Sequence, residues 1–271
     1  MKHLPPPPGA GNGIILRQCR KPGWGGRQAL WLAAAANYHR FSGNPWRVRP
    51  AGFTGADVDA LYALYDSRGG SGPIARIRRP AIPFDSCPMC GSLGGRSLDH
   101  ALPRGVYPEF SILHENLVPA CTMCNSDEKG GVYRGRRPER FIHPYYDRWA
   151  SRSLWRVEFG PDLDALQFRP VALPTLSRAR RRIVDFHVQT LLGKEWRDSV
   201  RREWGPLPAK LRRRVGAAPS EAALRIELET RLQDAIDCNG VNCWDAGLLR
   251  GVLADPSVVT KLVERVRALP A

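Results

Sequence analysis

The feature that most constrains this chain is a pair of Cys-x-x-Cys knuckles, Cys87–Cys90 and Cys121–Cys124. Two such knuckles can bring four thiolates to one point, and four thiolates in tetrahedral array suit zinc. An ion whose four positions are all filled by sulfur has none left for water, so the zinc expected here is structural, not catalytic. Thirty residues separate Cys90 from Cys121, more than a zinc ribbon uses, so a further piece of structure has to be built inside the staple. The chain has seven cysteines, an odd number, which points to metal binding in a reducing cytoplasm rather than to a disulfide framework. Cys238 and Cys243, with Cys19 as the spare, offer too few ligands for a second site and read as buried free thiols.

Charge narrows the partner. Across 271 residues the formal net charge is +15, which favours a polyanion, nucleic acid before an anionic membrane surface. Residues 1–86 carry twelve basic and four acidic side chains, residues 87–147 seven of each, and residues 148–271 carry 22 and 15. The segment with the knuckles is therefore neutral and the excess flanks it. The densest block, 176–214, holds twelve basic and four acidic residues, with Arg178, Arg180, Arg181 and Arg182 at its head. It reads as a surface that tracks phosphates, extended by Arg76, Arg78 and Arg79. The competing reading is a solvated helix face paired at i,i+4 through Glu195 or Asp198. The longest apolar run, Ala29 to Ala36, is far short of a span, and MKHLPPPPG has no apolar core of a signal peptide. The eight tryptophans read as core anchors, with Trp24 and Trp46 as the alternatives for base stacking.

The elements divide the chain into a basic N-terminal region (1–80), a central core (81–147) and a mostly helical basic C-terminal domain (148–271). Pro5 to Pro8 make an extended lead-in. Helices are predicted over 27–39 and over 56–65, the second capped by Thr54. Strands are predicted over 154–159 and 165–170, then a long helical segment over 177–204. Helices over 221–237, 248–253 and 258–269 follow, with Ser220 before the first of them.

Within the staple lie Leu98-Asp99-His100, then Asn116-Leu117-Val118-Pro119-Ala120 before Cys121, with Asn125 directly after Cys124 and Lys129 beyond it. This order resembles the HNH endonuclease superfamily in its zinc-stapled form, in a variant with Asn125 in the place of the last histidine. The resemblance covers about 45 to 60 residues. It implies an α+β protein with a small ββα-metal (His-Me finger) nuclease core, strands over 96–101 and 116–120 and a helix over 122–130. His100 then matches the general base, a role that a neutral imidazole near pH 7 suits. Asp99 and Asn125 match the ligands of a catalytic divalent ion, Mg²⁺ or Mn²⁺, and Asn116 matches the residue that braces the loop and orients the histidine. Asn125 as a helix N-cap is the alternative.

Hydrolysis of one DNA strand per site would leave a 5′-phosphate and a 3′-hydroxyl, so cutting a duplex would call for a homodimer or two nicks. Lys129 is expected on an exposed helix face, where it contacts phosphate or is simply solvated, and His114 is expected in an exposed loop. Tyr107 to Phe110 and Phe141 to Asp147 resemble stand-alone bacterial HNH proteins of phage-defence or mobile-element contexts. Some of those work with an ATPase or other defence-system subunit. His143 in this second stretch is expected to assist substrate or metal binding, or to pack on the rim. The rival from another class is a catalytically silent zinc-bearing DNA-binding or scaffold protein. Against it stand Asp99, His100, Asn116 and Asn125, all four present together.

Overall fold

The computed structural model of the chain describes residues 1–67, 74, 77, 86–93 and 97–270. Three helices open it: α1 (Gly13–Cys19), α2 (Gln28–Arg40) and α3 (Ala56–Asp66). The N-cap of α3 is Gly55 and not Thr54, whose carbonyl accepts the Asp57 amide (3.3 Å) while its side chain makes no cap. Between the knuckles run β1 (Ser97–His100) and β2 (Leu117–Ala120), antiparallel, with Asp99 opposite Val118 and His100 opposite Leu117. Arg96 lies outside the described residues, as do Arg76, Arg78 and Arg79. A six-residue helix, α4 (Met123–Glu128), starts within the second knuckle and includes Cys124. Its last turn is wide: the Lys129 amide bonds the Cys124 carbonyl five residues back (3.3 Å).

The C-terminal part begins with a second hairpin, β3 (Trp155–Phe159) against β4 (Phe168–Ala172). β4 starts later than the predicted 165. The Asp162 carboxylate accepts the amides of Asp164 (2.9 Å) and Ala165 (3.0 Å), and Gly160 N–H closes on the Gln167 carbonyl (2.7 Å). Those bonds hold the first residues of the expected strand in the turn. The predicted long helix is two, α5 (Arg178–Leu191) and α6 (Lys194–Trp204), broken at Leu192-Gly193. Four more follow: α7 (Leu207–Val215), α8 (Glu221–Asn239), α9 (Trp244–Ala254) and α10 (Pro256–Arg267). Ser177 and Ser220 cap α5 and α8 by accepting the amides of Arg180 (3.4 Å) and Ala223 (3.1 Å). The protein is thus α+β, with two small sheets of two strands each. Among the described residues, no helix is long and apolar enough to cross a membrane.

Two apolar cores meet at β2. Successive side chains of a strand face opposite ways, so Leu117 enters one core and its neighbour Val118 the other. The first core joins Trp31, Tyr38 and Leu61 of the N-terminal helices to Leu102, Tyr107 and Phe110. The second joins the four knuckle cysteines to Trp155, Val184, Trp196 and Leu262 of the C-terminal part. The first core crosses the expected boundary at 80, and the second, which takes in Met1 and Leu4, crosses those at 80 and 147.

α9 lies directly on β3 because two helical glycines leave room. A Cβ on Gly247 would come within 2.3 Å of the Trp155 ring, and one on Gly251 within 2.3 Å of the Val157 carbonyl oxygen. A ring can shift, whereas a main-chain carbonyl moves only with its strand. Gly251→Ala should therefore cost about 1–3 kcal/mol of stability, read as a lower midpoint in urea. An unchanged midpoint would mean that helix and strand are not in this contact.

Candidate active site and metal centre

The four knuckle cysteines are buried, and their sulfurs all lie within 4.8 Å of one another, so they could hold a metal ion. Cys90 and Cys121 sulfurs are 3.7 Å apart. That separation fits two vertices of a tetrahedron with metal–sulfur bonds of about 2.3 Å. Donors already point at the sulfurs. Cys121 N–H reaches Cys87 Sγ (3.2 Å), Cys124 N–H reaches Cys121 Sγ (3.4 Å), and Ser92 N–H reaches Cys90 Sγ (3.4 Å). Gly91 turns the first knuckle at φ +83°, where a Cβ would sit 2.3 Å from the Asn242 carbonyl oxygen.

Two C-terminal side chains grip this centre. Trp244 Nε1–H donates to the Cys90 carbonyl (3.0 Å). His187 Nε2–H donates to the Met89 carbonyl (2.7 Å) while its Nδ1 accepts the Ile142 amide (3.0 Å). Burial pushes the His187 pKa down to about 4, which suits the neutral ring that this pattern needs. Asn242 ties the start of the second hairpin, accepting from Leu154 N–H (2.9 Å) and donating to the Ala150 carbonyl (3.1 Å). Cys243 is a cap: its sulfur accepts the Ala246 amide (3.4 Å) at the start of α9.

His100 ends β1 with its ring fixed. Nε2 lies 3.1 Å from the Ser111 carbonyl, an acceptor, so Nε2 carries the proton and Nδ1 keeps its lone pair. Tyr65 covers the ring at 4.5 Å between centroids. Burial, helped by the charges of Lys129 and Arg104, pushes the His100 pKa down to about 4 against the pull of the Ser111 carbonyl. Near pH 7 the imidazole is neutral.

Asn116 is the brace at the other side of this loop. Its Oδ1 accepts Leu102 N–H (2.8 Å), and its Nδ2 donates to the carbonyls of Leu102 (3.0 Å) and Phe110 (3.2 Å). Phe110 precedes the Ser111 that orients His100. A directed chain stands behind Asn116. Tyr145 N–H donates to His143 Nδ1 (3.3 Å), which puts the proton of His143 on Nε2, 2.9 Å from the Tyr38 oxygen. The Tyr38 hydroxyl in turn donates to Asn116 Oδ1 (3.2 Å). His143 is buried, not on a rim. Burial pushes its pKa down to about 3.

Asn125 lies within α4, three residues past its N-cap Thr122, so the capping alternative does not hold. Its side-chain amide faces the Leu98 carbonyl (3.5 Å), next to Asp99 on β1. Lys129 departs most from expectation. It is 3% exposed, not on a solvated face, and its ammonium sits 2.6 Å from Asp99 Oδ2 and also on the His100 carbonyl. Burial raises the Asp99 pKa and Lys129 opposes that rise. Asp99 and Asn125 offer oxygen donors of the kind a hard divalent ion takes. With the Lys129 ammonium already on that one carboxylate, the arrangement does not hold such an ion at the same time.

On α5, Arg178, Arg180 and Arg181 are exposed, with the Arg180 guanidinium 5.4 Å over the Trp149 ring. Arg182 is exposed as well, with its guanidinium paired to Glu139 (2.7 Å). His114 is buried, its Nδ1 2.8 Å from the Pro8 carbonyl, and not exposed as expected. Trp24 packs on Trp31 against the first core, and Trp46, half-buried, donates to the Glu139 carbonyl (3.0 Å).

The chain is similar to Protein ea31 of Escherichia phage lambda, with 46% identity over 65 residues. The match spans 24% of this chain and 22% of that protein. No family model and no solved structure matches the chain.

Tyr38 carries no motif, yet it joins His143 to Asn116. Tyr38→Phe keeps the ring and removes the bridge, leaving the buried His143 N–H without an acceptor. The expected cost is about 1–3 kcal/mol, measured by chemical denaturation. A variant as stable as the parent would break the chain of bonds drawn here.

Proposed function

We propose that this chain is an endonuclease of the HNH type that hydrolyses phosphodiester bonds in DNA. The observation that carries the reading is the state of His100: a neutral ring, its Nε2–H held on Ser111, its Nδ1 free to take a proton. Hydrolysis needs a base that removes a proton from the attacking water in a fixed direction. His100 Nδ1 is that base. Asn116 keeps its aim by tying Leu102 to Phe110, and the proton stays on Nε2 because the Ser111 carbonyl can only accept. The four cysteines hold a structural zinc that seats β2 and α4 on the rest of the chain. The resemblance also implies a catalytic Mg²⁺ or Mn²⁺ on Asp99 and Asn125, which the site does not hold while Lys129 stays on Asp99.

DNA is held by the charge that flanks the core. Arg178, Arg180 and Arg181 face solvent on α5, and exposed guanidinium groups contact phosphates without reading bases. One observation favours the rival reading of a silent zinc-bearing DNA-binding protein, namely the lysine on Asp99.

A single assay separates the two. Zinc-loaded protein is incubated with supercoiled plasmid in Mg²⁺ or Mn²⁺ and compared with His100→Ala. The nuclease reading expects nicked plasmid from wild type and a rate at least about 10²-fold lower from the variant, with DNA binding kept. Binding without cleavage by wild type in either metal would leave the silent reading. Equal cleavage by both proteins would remove His100 from the base's role.

A further inference from the structure

The buried Lys129–Asp99 pair is the one ionic contact inside the candidate site that the nuclease reading does not use. Its geometry is that of a built position. Lys129 follows the wide last turn of α4, which aims its side chain back across β1. The ammonium meets Asp99 Oδ2 at 2.6 Å and the His100 carbonyl, and lies 5.6 Å from the centre of the Phe141 ring. A carboxylate oxygen, a main-chain carbonyl oxygen and an aromatic face all favour a cation at that point. Asn125, from the same helix, reaches the same strand one residue earlier. Two of these oxygens belong to the strand end where the resemblance puts a divalent ion.

We propose that Lys129 is an internal counterion that occupies the cation position on Asp99, so that a divalent ion binds only by displacing its ammonium. The proposal rests on the nuclease reading for the location of the ion, but its test does not depend on cleavage. An ammonium at hydrogen-bond distance from the carboxylate opposes a second cation in two ways. It takes an oxygen that the ion needs, and it repels the ion across a buried site where water screens little. Removing the lysine charge leaves Asp99 buried without its partner, and a divalent ion then becomes the group that relieves it.

Mn²⁺ binding to the full chain, read from the free-ion signal in electron paramagnetic resonance, tests this directly. Lys129→Met should bind one Mn²⁺ at least tenfold more tightly than wild type, and adding Asp99→Asn should abolish the gain. Lys129→Gln, which keeps a hydrogen-bond donor for Asp99, is the second variant should the methionine protein lose its fold by circular dichroism. A measurement on wild type needs no variant. The chain has six lysines, and the ammonium of Lys129, sheltered from exchange, should give a resolved ¹H–¹⁵N signal that moves or vanishes as Mg²⁺ saturates. Mn²⁺ binding no tighter in either variant than in wild type would overturn the proposal. So would a lysine signal unmoved by bound Mg²⁺. Loss of plasmid cleavage in His100→Ala bears on the nuclease reading alone.

Discussion

The meeting of four cysteine sulfurs is the contact on which the rest of the structure depends. β1 and β2 have four residues each, too few to hold a hairpin in water without help. α4 has six, below the length at which a helix is stable alone. What fixes these pieces is that Cys121 directly follows β2 and Cys124 lies in the first turn of α4, and that Cys87 and Cys90 meet them from across the core. His187 of α5 and Trp244 of α9 then hold the first knuckle by its main-chain carbonyls. Closing a loop of this length through a metal removes conformational freedom from the unfolded chain, and the short elements inside inherit the benefit.

The site stands where the two apolar cores abut. The N-terminal helices do more than carry positive charge: Tyr38 of α2 supports Asn116, and Tyr65 of α3 covers His100. From the other core, Phe141 packs on His187 and Phe186, and its ring faces the Lys129 ammonium. The loop that aims His100 is thus braced from one side and the lysine that holds Asp99 from the other. A stapled segment of some 45 residues is too small to be rigid by itself, and here the flanks supply the rigidity as well as the charge.

The legible part of this was local. The knuckles, Asp99-His100, Asn116 and Asn125 are separated by short, characteristic spacings, and the caps Ser177 and Ser220 announce their helices by residue type. The illegible part was long-range. Tyr38 and Asn116 are 78 residues apart, and His187 and Met89 are 98 apart, so no spacing rule connects them. Lys129 was misjudged for a different reason. On a regular solvated helix a lysine next to Asp127 and Glu128 faces outward, but the wide turn at Cys124 rotates it inward onto β1. Thr54 has the right residue type for a cap and one residue too many before α3, since Gly55 takes the cap position.

The central claim is that a metal held by the four thiolates organises the rest. Metal content and thermal unfolding of the full chain, measured together before and after treatment with a strong zinc chelator, test it most directly. The account predicts about one zinc per chain in the untreated protein and the loss of a single cooperative transition when it is removed. Structural zinc sites in small domains contribute about 10–16 kcal/mol. A chain that holds no zinc, or that unfolds at the same temperature and as sharply after the metal is stripped, would contradict it.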